Sequence, residues 1–214
     1  MRLTFFAFAL VATGAVAVPG QAQMYPMSQR GTIRQTVAFT EISIVYGRPT
    51  ARGRALFGAL VPWDSVWHPG ADDATRITFS RDVLLEGHPV KAGTYTTWLI
   101  PRASNTWTFI LNRAVGVSHT PYPGRDKDAL RVDVVADSAS HLETLTYQFP
   151  AVLREDATLR LQWGVQGISL HIKAAARPPE PDGQQHAVEM TSIGIPQDLE
   201  LPCATRVPWQ ELVD

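Results

Sequence analysis

The sequence contains one cysteine, Cys203, and no excess of charge of either sign. One thiol cannot form an internal disulfide, so a folded domain in this chain must be held together by its apolar core. Lysine and arginine number 19 against 20 acidic residues, which gives a formal net charge of -1. This balance provides no general attraction to nucleic acid or to an anionic membrane surface. We therefore expect no nucleic-acid partner.

Long apolar runs are also missing, apart from one near the start of the sequence. Arg2 precedes the uncharged residues 3–18, and Gly20-Gln21-Ala22 has the small–x–small form that signal peptidase accepts. This order predicts a secretory signal peptide over residues 1–23. The apolar run is shorter than the about 20 residues of a membrane-spanning helix, and no cysteine lies near the cleavage region to carry lipid. We expect an exported protein, periplasmic or secreted, with no transmembrane segment after cleavage.

A helical repeat of apolar residues is absent from residues 32–173. Short alternating runs take its place, separated by turn residues such as Ser80-Arg81 and the stretch 86–89. The runs predict strands at 41–46, 75–79, 82–85, 94–100, 107–111, 130–135, 143–149, 158–163 and 168–173. Many short strands at close spacing indicate an all-β fold, a single antiparallel β-sandwich-like domain. Residues 174–214 are predicted to form a linker and C-terminal tail.

Tyr95 enters a predicted strand directly after the turn Lys91-Ala92-Gly93. A tyrosine in this position is typical of a tyrosine corner, in which the phenol hydroxyl bonds back to the backbone. We favour this structural role over a ligand contact.

Residues 47–74 form a long segment rich in Gly, Pro, Arg and Trp that interrupts the strands. Loops of this length inside a compact domain are uncommon and often functional. Residues 55–60 are predicted to form one helical turn within it.

The same segment carries a family resemblance. Its motifs occur in a fixed order: Tyr46-Gly47-Arg48-Pro49, Gly53-Arg54-Ala55-Leu56-Phe57-Gly58, Leu60-Val61-Pro62, Val66-Trp67, Gly70-Ala71 and Ala74-Thr75. With Lys91–Tyr95 and Trp107-Thr108 added, the chain resembles the bacterial domain-of-unknown-function family 2911 over residues 32–173. The resemblance implies an exported β-rich domain and supplies no reaction, substrate or cofactor. His68 and Asp72 stand where members commonly have Arg and Asn, which weakens any anion-binding role of the family's loop here.

Three closely spaced arginines are the first candidate ligand site: Arg48, Arg52 and Arg54. Guanidinium groups bind carboxylate, sulfate or phosphate through several hydrogen bonds at once. In the alternative interpretation, which we favour, they form ion pairs with the aspartates of the same loop, Asp64, Asp72 and Asp73.

His68 with Asp72 and Asp73 is the second candidate. An imidazole beside carboxylates can bind a divalent metal or act in acid–base catalysis, which makes a metal-assisted hydrolase the alternative function. The spacing matches no known metal signature, so we expect no metal and no cofactor. The simpler interpretation is a single hydrogen-bonded loop histidine.

The third candidate is a set of four tryptophans, Trp63, Trp67, Trp98 and Trp107, because exposed indole faces bind sugar rings and other flat ligands. The i,i+4 spacing of Trp63 and Trp67 places these two on one face if the loop is helical there. Filling the core is the alternative, and it is the stronger interpretation for Trp98, Trp107 and Trp163, which fall in predicted strands.

Together these features favour a noncatalytic exported β domain that binds a small molecule or an envelope component through loop 47–74. A third possibility places the interaction surface in the tail, residues 174–214.

Overall fold

The computed structural model describes residues 28–175, which form an antiparallel β structure. Within this range there is no α-helix, only one short 3-10 turn at Arg125–Lys127. The strands are β1 (Gln29–Val37), β2 (Thr40–Arg48), β3 (Arg76–Phe79), β4 (Val83–Leu85), β5 (His88–Val90), β6 (Gly93–Ile100), β7 (Thr106–Asn112), β8 (Asp128–Val152) and β9 (Asp156–Ala174). The predicted all-β class is confirmed.

The nine strands form one sheet in the order β1-β2-β3-β6-β7-β8-β9-β4-β5, and each named pair is antiparallel. The sheet folds over, so that β1 and β2 approach β8 and β9 across the core. The rings of Tyr46 on β2 and Tyr147 on β8 lie 4.7 Å apart between centroids. A single folded sheet therefore supplies both layers of the sandwich-like domain.

β8 is shared between the two halves of this sheet. Its first part pairs with β7 as far as Val135, and from Ala136 it pairs with β9 through several register shifts. The segment directly after β2 forms a bridge to the middle of β8. Ala51 N–H donates to the Glu143 carbonyl at 2.7 Å, and Leu145 N–H donates to the Pro49 carbonyl at 2.9 Å. This bridge fixes where the long loop begins.

The core fills the space inside the folded sheet. Ile42, Ile44 and Tyr46 alternate along β2 and are buried, as period-2 patterning requires. Trp98, Trp107 and Trp163 are buried, which confirms their predicted core role. Trp98 belongs to a second, smaller cluster with Ala74 and Ile110, packed against Val117 and Tyr122.

Four strand assignments differ from expectation. β1 was not predicted as a strand, and it alternates between exposed and half-buried residues. β5 occupies His88–Val90, where a turn was predicted; Pro89 is tolerated because β5 lies at the edge of the sheet. The strands predicted at 130–135 and 143–149 belong to one continuous strand, β8, and those predicted at 158–163 and 168–173 belong to another, β9.

Tyr95 forms the expected corner, since its hydroxyl donates to the Lys91 carbonyl at 2.9 Å. The predicted signal peptide and almost all of the predicted tail lie outside the described residues. Between residues 28 and 175 there is no helix long and apolar enough to cross a membrane.

Candidate binding site in the β2–β3 loop

The β2–β3 loop, residues 49–75, is built from turns. Gly58 N–H donates to the Val61 carbonyl and Val61 N–H donates to the Leu56 carbonyl, both at 2.8 Å. The helical turn predicted over residues 55–60 is wrong, because Gly58 has a φ of 81° and breaks the helical path. A side chain at Gly58 would meet the indole of Trp63, whose Nε1 lies 2.4 Å from the position of a Cβ atom.

Backbone contacts fasten the loop to the sheet. Trp67 and Leu99 exchange two hydrogen bonds of 2.7 and 2.8 Å, and Asp64 N–H donates to the Pro101 carbonyl at 2.8 Å. The carbonyl oxygen of Ala71 would lie 2.2 Å from a Cβ atom at Gly47, so the loop rests directly on the backbone of β2. The loop is thus a fixed part of the domain, held at both ends and in the middle.

His68 is buried inside this arrangement, with a relative exposure of 4%. Its Nε2 accepts a 2.5 Å hydrogen bond from the Thr75 backbone N–H, so the ring proton must be on Nδ1. Nδ1 has no hydrogen-bond partner within the described residues. The neighbouring Pro69 carbonyl accepts from the hydroxyls of Thr75 and Tyr147, each at 3.0 Å. His68 therefore belongs to a buried network that fixes the end of the loop.

Burial, with a smaller contribution from the charge of nearby His119, lowers the pKa of His68 to about 3. The imidazole is consequently neutral in all but strongly acidic solution. Burial likewise raises the pKa of Tyr147, so its phenol stays protonated as a donor.

Neither of the two aspartates assigned with His68 to a hydrolytic site forms a hydrogen bond or ion pair with His68 between residues 28 and 175. Asp73 forms an ion pair with Arg30 at 2.9 Å, and the Asp72 carbonyl accepts from the backbone N–H and the Nδ1 of His119. In the described part of the chain, no group of three or more His, Cys, Asp or Glu side chains is placed to hold a metal ion. The geometry thus offers no support for the hydrolase hypothesis.

The three arginines do not pair with the aspartates of their loop, contrary to the interpretation we favoured. Asp73 is taken by Arg30, and Asp64 lies 3.9 Å from Arg102. Arg54 donates from Nε to the Ala51 carbonyl at 2.9 Å and from Nη2 to the Thr50 carbonyl at 2.7 Å.

Arg52 and Arg48 have separate roles. The backbone N–H of Arg52 donates to Oε1 of Glu143 at 2.6 Å, and the Arg52 side chain is exposed. Arg48 is half-buried, packs its aliphatic part against Gly31 and reaches Thr146 through Nη2 at 3.5 Å. Arg48 therefore has a structural role, whereas the side chains of Arg52 and Arg54 are exposed.

Trp63 and Trp67 do not share a helical face, but both join one aromatic cluster. Phe57 lies at its centre, with ring centroids 6.1 Å from Trp63, 5.6 Å from Trp67 and 4.9 Å from Trp107. Trp67 stacks on Trp163 of β9 at 6.0 Å. The middle of the cluster is filled, with a void of only about 10 Å³ beneath Phe57 and Trp67. Space for a ligand lies on either side of it.

The first of these spaces, the Trp63 cleft, has a volume of about 280 Å³. Its lining residues are Arg54, Leu56, Phe57, Trp63, His141, Trp163, Gly164, Val165 and Gln166. Most of this surface is apolar, and Arg54 and His141 supply the titratable groups. The loop forms one wall and the β8–β9 hairpin forms the other.

The second space, the Trp67 cleft, has a volume of about 490 Å³. Its lining residues are Ser28, Pro49, Thr50, Arg52, Arg54, Leu60, Val61, Trp67, Gly70, Ala71, Asp72, His119 and Trp163. It is more polar than the Trp63 cleft and carries both signs of charge. Arg54 and Trp163 border both clefts.

Sequence reasoning missed the wall that β8 and β9 contribute. His141, Val165 and Gln166 line the Trp63 cleft, and Glu143 stands beside it with its pKa lowered by hydrogen bonds from His141 and from the Arg52 backbone. Nothing in the sequence around these residues marks them as a site. Only the bridge between residues 49–51 and β8 brings them to the loop.

The comparisons with known proteins agree with the resemblance noted in the sequence. The model of a family described as "Protein of unknown function (DUF2911)" matches residues 28–172. The chain belongs to the DUF2911 family. No curated protein and no solved structure matches it. All residues that line the Trp63 and Trp67 clefts lie within the matched DUF2911 range.

Proposed function

We propose that this DUF2911 protein is an exported, noncatalytic binding protein that holds a small molecule against its β2–β3 loop. The observation that carries the proposal is the position of Arg54, which borders two clefts and forms no ion pair among residues 28–175. A cation fixed by backbone carbonyls at the rim of aromatic clefts is suited to orient a ligand.

The rigidity of the loop supports binding. Trp67 is paired with Leu99, the Ala71 backbone rests on Gly47, and the His68 network is buried. A site that is already ordered loses little conformational entropy when a ligand enters, and this increases affinity.

The state of the candidate catalytic groups supports the noncatalytic part of the proposal. His68 is buried and neutral, and its Nε2 is committed to the Thr75 backbone. A general base must reach the proton it removes, and His68 borders neither cleft.

Export rests on the pattern of residues 1–23, a positive start, an apolar run and a small–x–small site. A protein outside the cytoplasm would meet small molecules of the envelope or the medium, which fits a binding role.

The test is a panel of small aromatic, aliphatic and sugar probes, each in charged and neutral form, measured against purified protein by saturation-transfer NMR. The matched variants are Val165→Trp, which fills the Trp63 cleft, and Leu60→Trp, which fills the Trp67 cleft. Val165 and Leu60 are similarly exposed, at 49% and 45%, so neither change disturbs the core. We expect no probe that binds the wild-type protein specifically to bind the double variant Leu60→Trp/Val165→Trp. If probes bind this double variant as tightly as the wild-type protein, the loop is not the binding site.

A further inference from the structure

The Trp63 cleft combines an apolar interior with a single fixed cation at its rim. We infer that its ligand is a small amphiphilic anion, with a carboxylate bound to Arg54 and an apolar body lying in the cleft. This inference rests on the proposed function and specifies the ligand class and the cleft.

The apolar body follows from the two walls. Leu56, Phe57 and Trp63 come from the loop, and Trp163 and Val165 come from β9. Gly164, with a φ of 60°, allows the walls to meet, because a Cβ atom there would lie 2.9 Å from Cδ1 of Leu56. A volume of about 280 Å³ fits a compact aromatic or short aliphatic group.

The carboxylate follows from the hydrogen bonds of Arg54. A guanidinium group has five N–H donors, and the Thr50 and Ala51 carbonyls hold Arg54 in place through Nη2 and Nε. The remaining N–H donors of this charged group are available to a ligand, since no carboxylate within residues 28–175 forms an ion pair with this side chain. A planar ligand carboxylate can accept two of them side by side.

One neighbouring carboxylate, that of Glu143, interacts with the charge of Arg54 but forms no ion pair with it; its ion pair is with His141. Oε1 of Glu143 accepts from the Arg52 backbone, and Oε2 lies 3.1 Å from Nε2 of His141. Both oxygens of Glu143 are therefore occupied by other donors. In the Trp67 cleft, by contrast, Asp72 is a lining residue together with the arginines, and its negative charge opposes an anion. The Trp63 cleft is the better site for a negatively charged ligand.

The experiment compares 3-phenylpropionate with 3-phenylpropionamide, which have the same shape and differ in charge, by isothermal titration calorimetry. We expect the acid to bind the wild-type protein about tenfold more tightly than the amide, the effect of one charge-assisted contact. Arg54→Met replaces the aliphatic part of the side chain by a similar apolar one and removes the charge, so the two probes should bind it with equal affinity.

The location is tested with the same two filling variants. Val165→Trp should abolish binding of 3-phenylpropionate, and Leu60→Trp should leave it unchanged. Thermal melting of each variant verifies that it is folded, and Arg54→Met, at an exposed position, provides an independent test if Val165→Trp is unstable.

The failures can be distinguished. Equal wild-type affinity for acid and amide would overturn the anionic ligand. Loss of binding in Leu60→Trp but not in Val165→Trp would place the probe in the Trp67 cleft, which overturns this inference and leaves the proposed function standing. Failure of both probes, when other members of the panel bind at the loop, overturns this inference alone. Failure of the whole panel overturns both proposals.

Discussion

The backbone N–H of Thr75 donates a 2.5 Å hydrogen bond to Nε2 of His68 in the buried interior of the domain. This bond joins the last residue before β3 to a residue seven positions earlier, in the last part of the β2–β3 loop. It also requires an unprotonated Nε2, so the fold of the loop depends on a neutral imidazole. The histidine that suggested catalysis in the sequence is a structural acceptor.

The first prediction concerns stability at low pH. The pKa of His68 is lowered from 6.5 to about 3. Between pH 3 and pH 6.5, His68 therefore binds a proton in the unfolded chain but stays unprotonated in the folded chain. The resulting stability is complete above about pH 6.5 and is lost as the pH falls toward 3, with a slope of up to about 1.4 kcal/mol per pH unit. Chemical denaturation between pH 7 and pH 5 measures this slope.

In His68→Gln the amide oxygen can still accept from Thr75, and the titrating group is gone. We expect the dependence of unfolding free energy on pH to become shallower over that range. His88→Gln, at an exposed position, should keep the wild-type slope. An unchanged slope in His68→Gln would show that His68 does not titrate as its burial requires.

The second prediction concerns the contact between Gly47 and Ala71. A methyl group at Gly47 would lie 2.2 Å from the Ala71 carbonyl oxygen, and neither backbone can move freely. We expect Gly47→Ala to lower the free energy of unfolding by about 1–3 kcal/mol or more, as overpacking does. Gly31→Ala on the paired strand is the control, because its nearest neighbour is the flexible Arg48 side chain at 2.7 Å, and it should cost less than about 1 kcal/mol. Equal losses in urea unfolding would argue against a rigid contact.

The third prediction concerns Tyr147, whose hydroxyl donates to the Pro69 carbonyl at 3.0 Å. Thr75 donates to the same oxygen, so Tyr147→Phe leaves the carbonyl with one partner. We expect a loss near the lower end of the range for a buried hydrogen bond, about 1 kcal/mol. In the double variant Thr75→Val/Tyr147→Phe the carbonyl has neither hydroxyl, and the combined loss in thermal unfolding should exceed the sum of the single losses. Simple additivity would mean that the two donors act independently.

The fourth prediction concerns the proposed export and the cleavage site that it requires. Cleavage after Ala22 or Gln23 leaves a chain that begins at Gln23 or Met24, and intact mass spectrometry of protein recovered from the periplasm or medium distinguishes these from the full-length chain. Replacing both Gly20 and Ala22 by Asp should block processing, because the peptidase requires small residues there. Recovery of the uncut chain from the cytoplasm would contradict the proposed export.

Strands with a clear inward face could be predicted from the sequence. Along β2, Ile42 and Ile44 alternate with polar residues and both are buried. β1 was missed because Gly31 and Gln35 interrupt its inward-facing side, which leaves no continuous apolar face, and only its pairing with β2 defines it. His88 and Pro89 resemble a turn locally, and their place at the edge of the sheet is a tertiary property.

The candidate site was predicted in part. Five of the eight residues that we selected line the clefts: Arg52, Arg54, Trp63, Trp67 and Asp72. Their partners could not be predicted, because Arg54 bonds backbone carbonyls, which every residue has, and Asp73 pairs with Arg30 on a strand that was missed. His141 and Val165 are far away in the sequence, and only the folded sheet brings them to the loop.

The bridge between the start of the loop and the middle of β8 also affects how the protein folds. Arg48 and Thr146, which meet beside this bridge, are 98 positions apart in the chain. Pairings of such long range make folding slow, on a scale of about milliseconds to seconds, because the entropy of closing the intervening chain is lost first. During synthesis, which starts at the N-terminus, the β2–β3 loop would emerge early. The Trp63 cleft could form only after Gln166 had also been synthesised. Until then its tryptophans would be exposed, and this loop would be the best target in the chain for a chaperone.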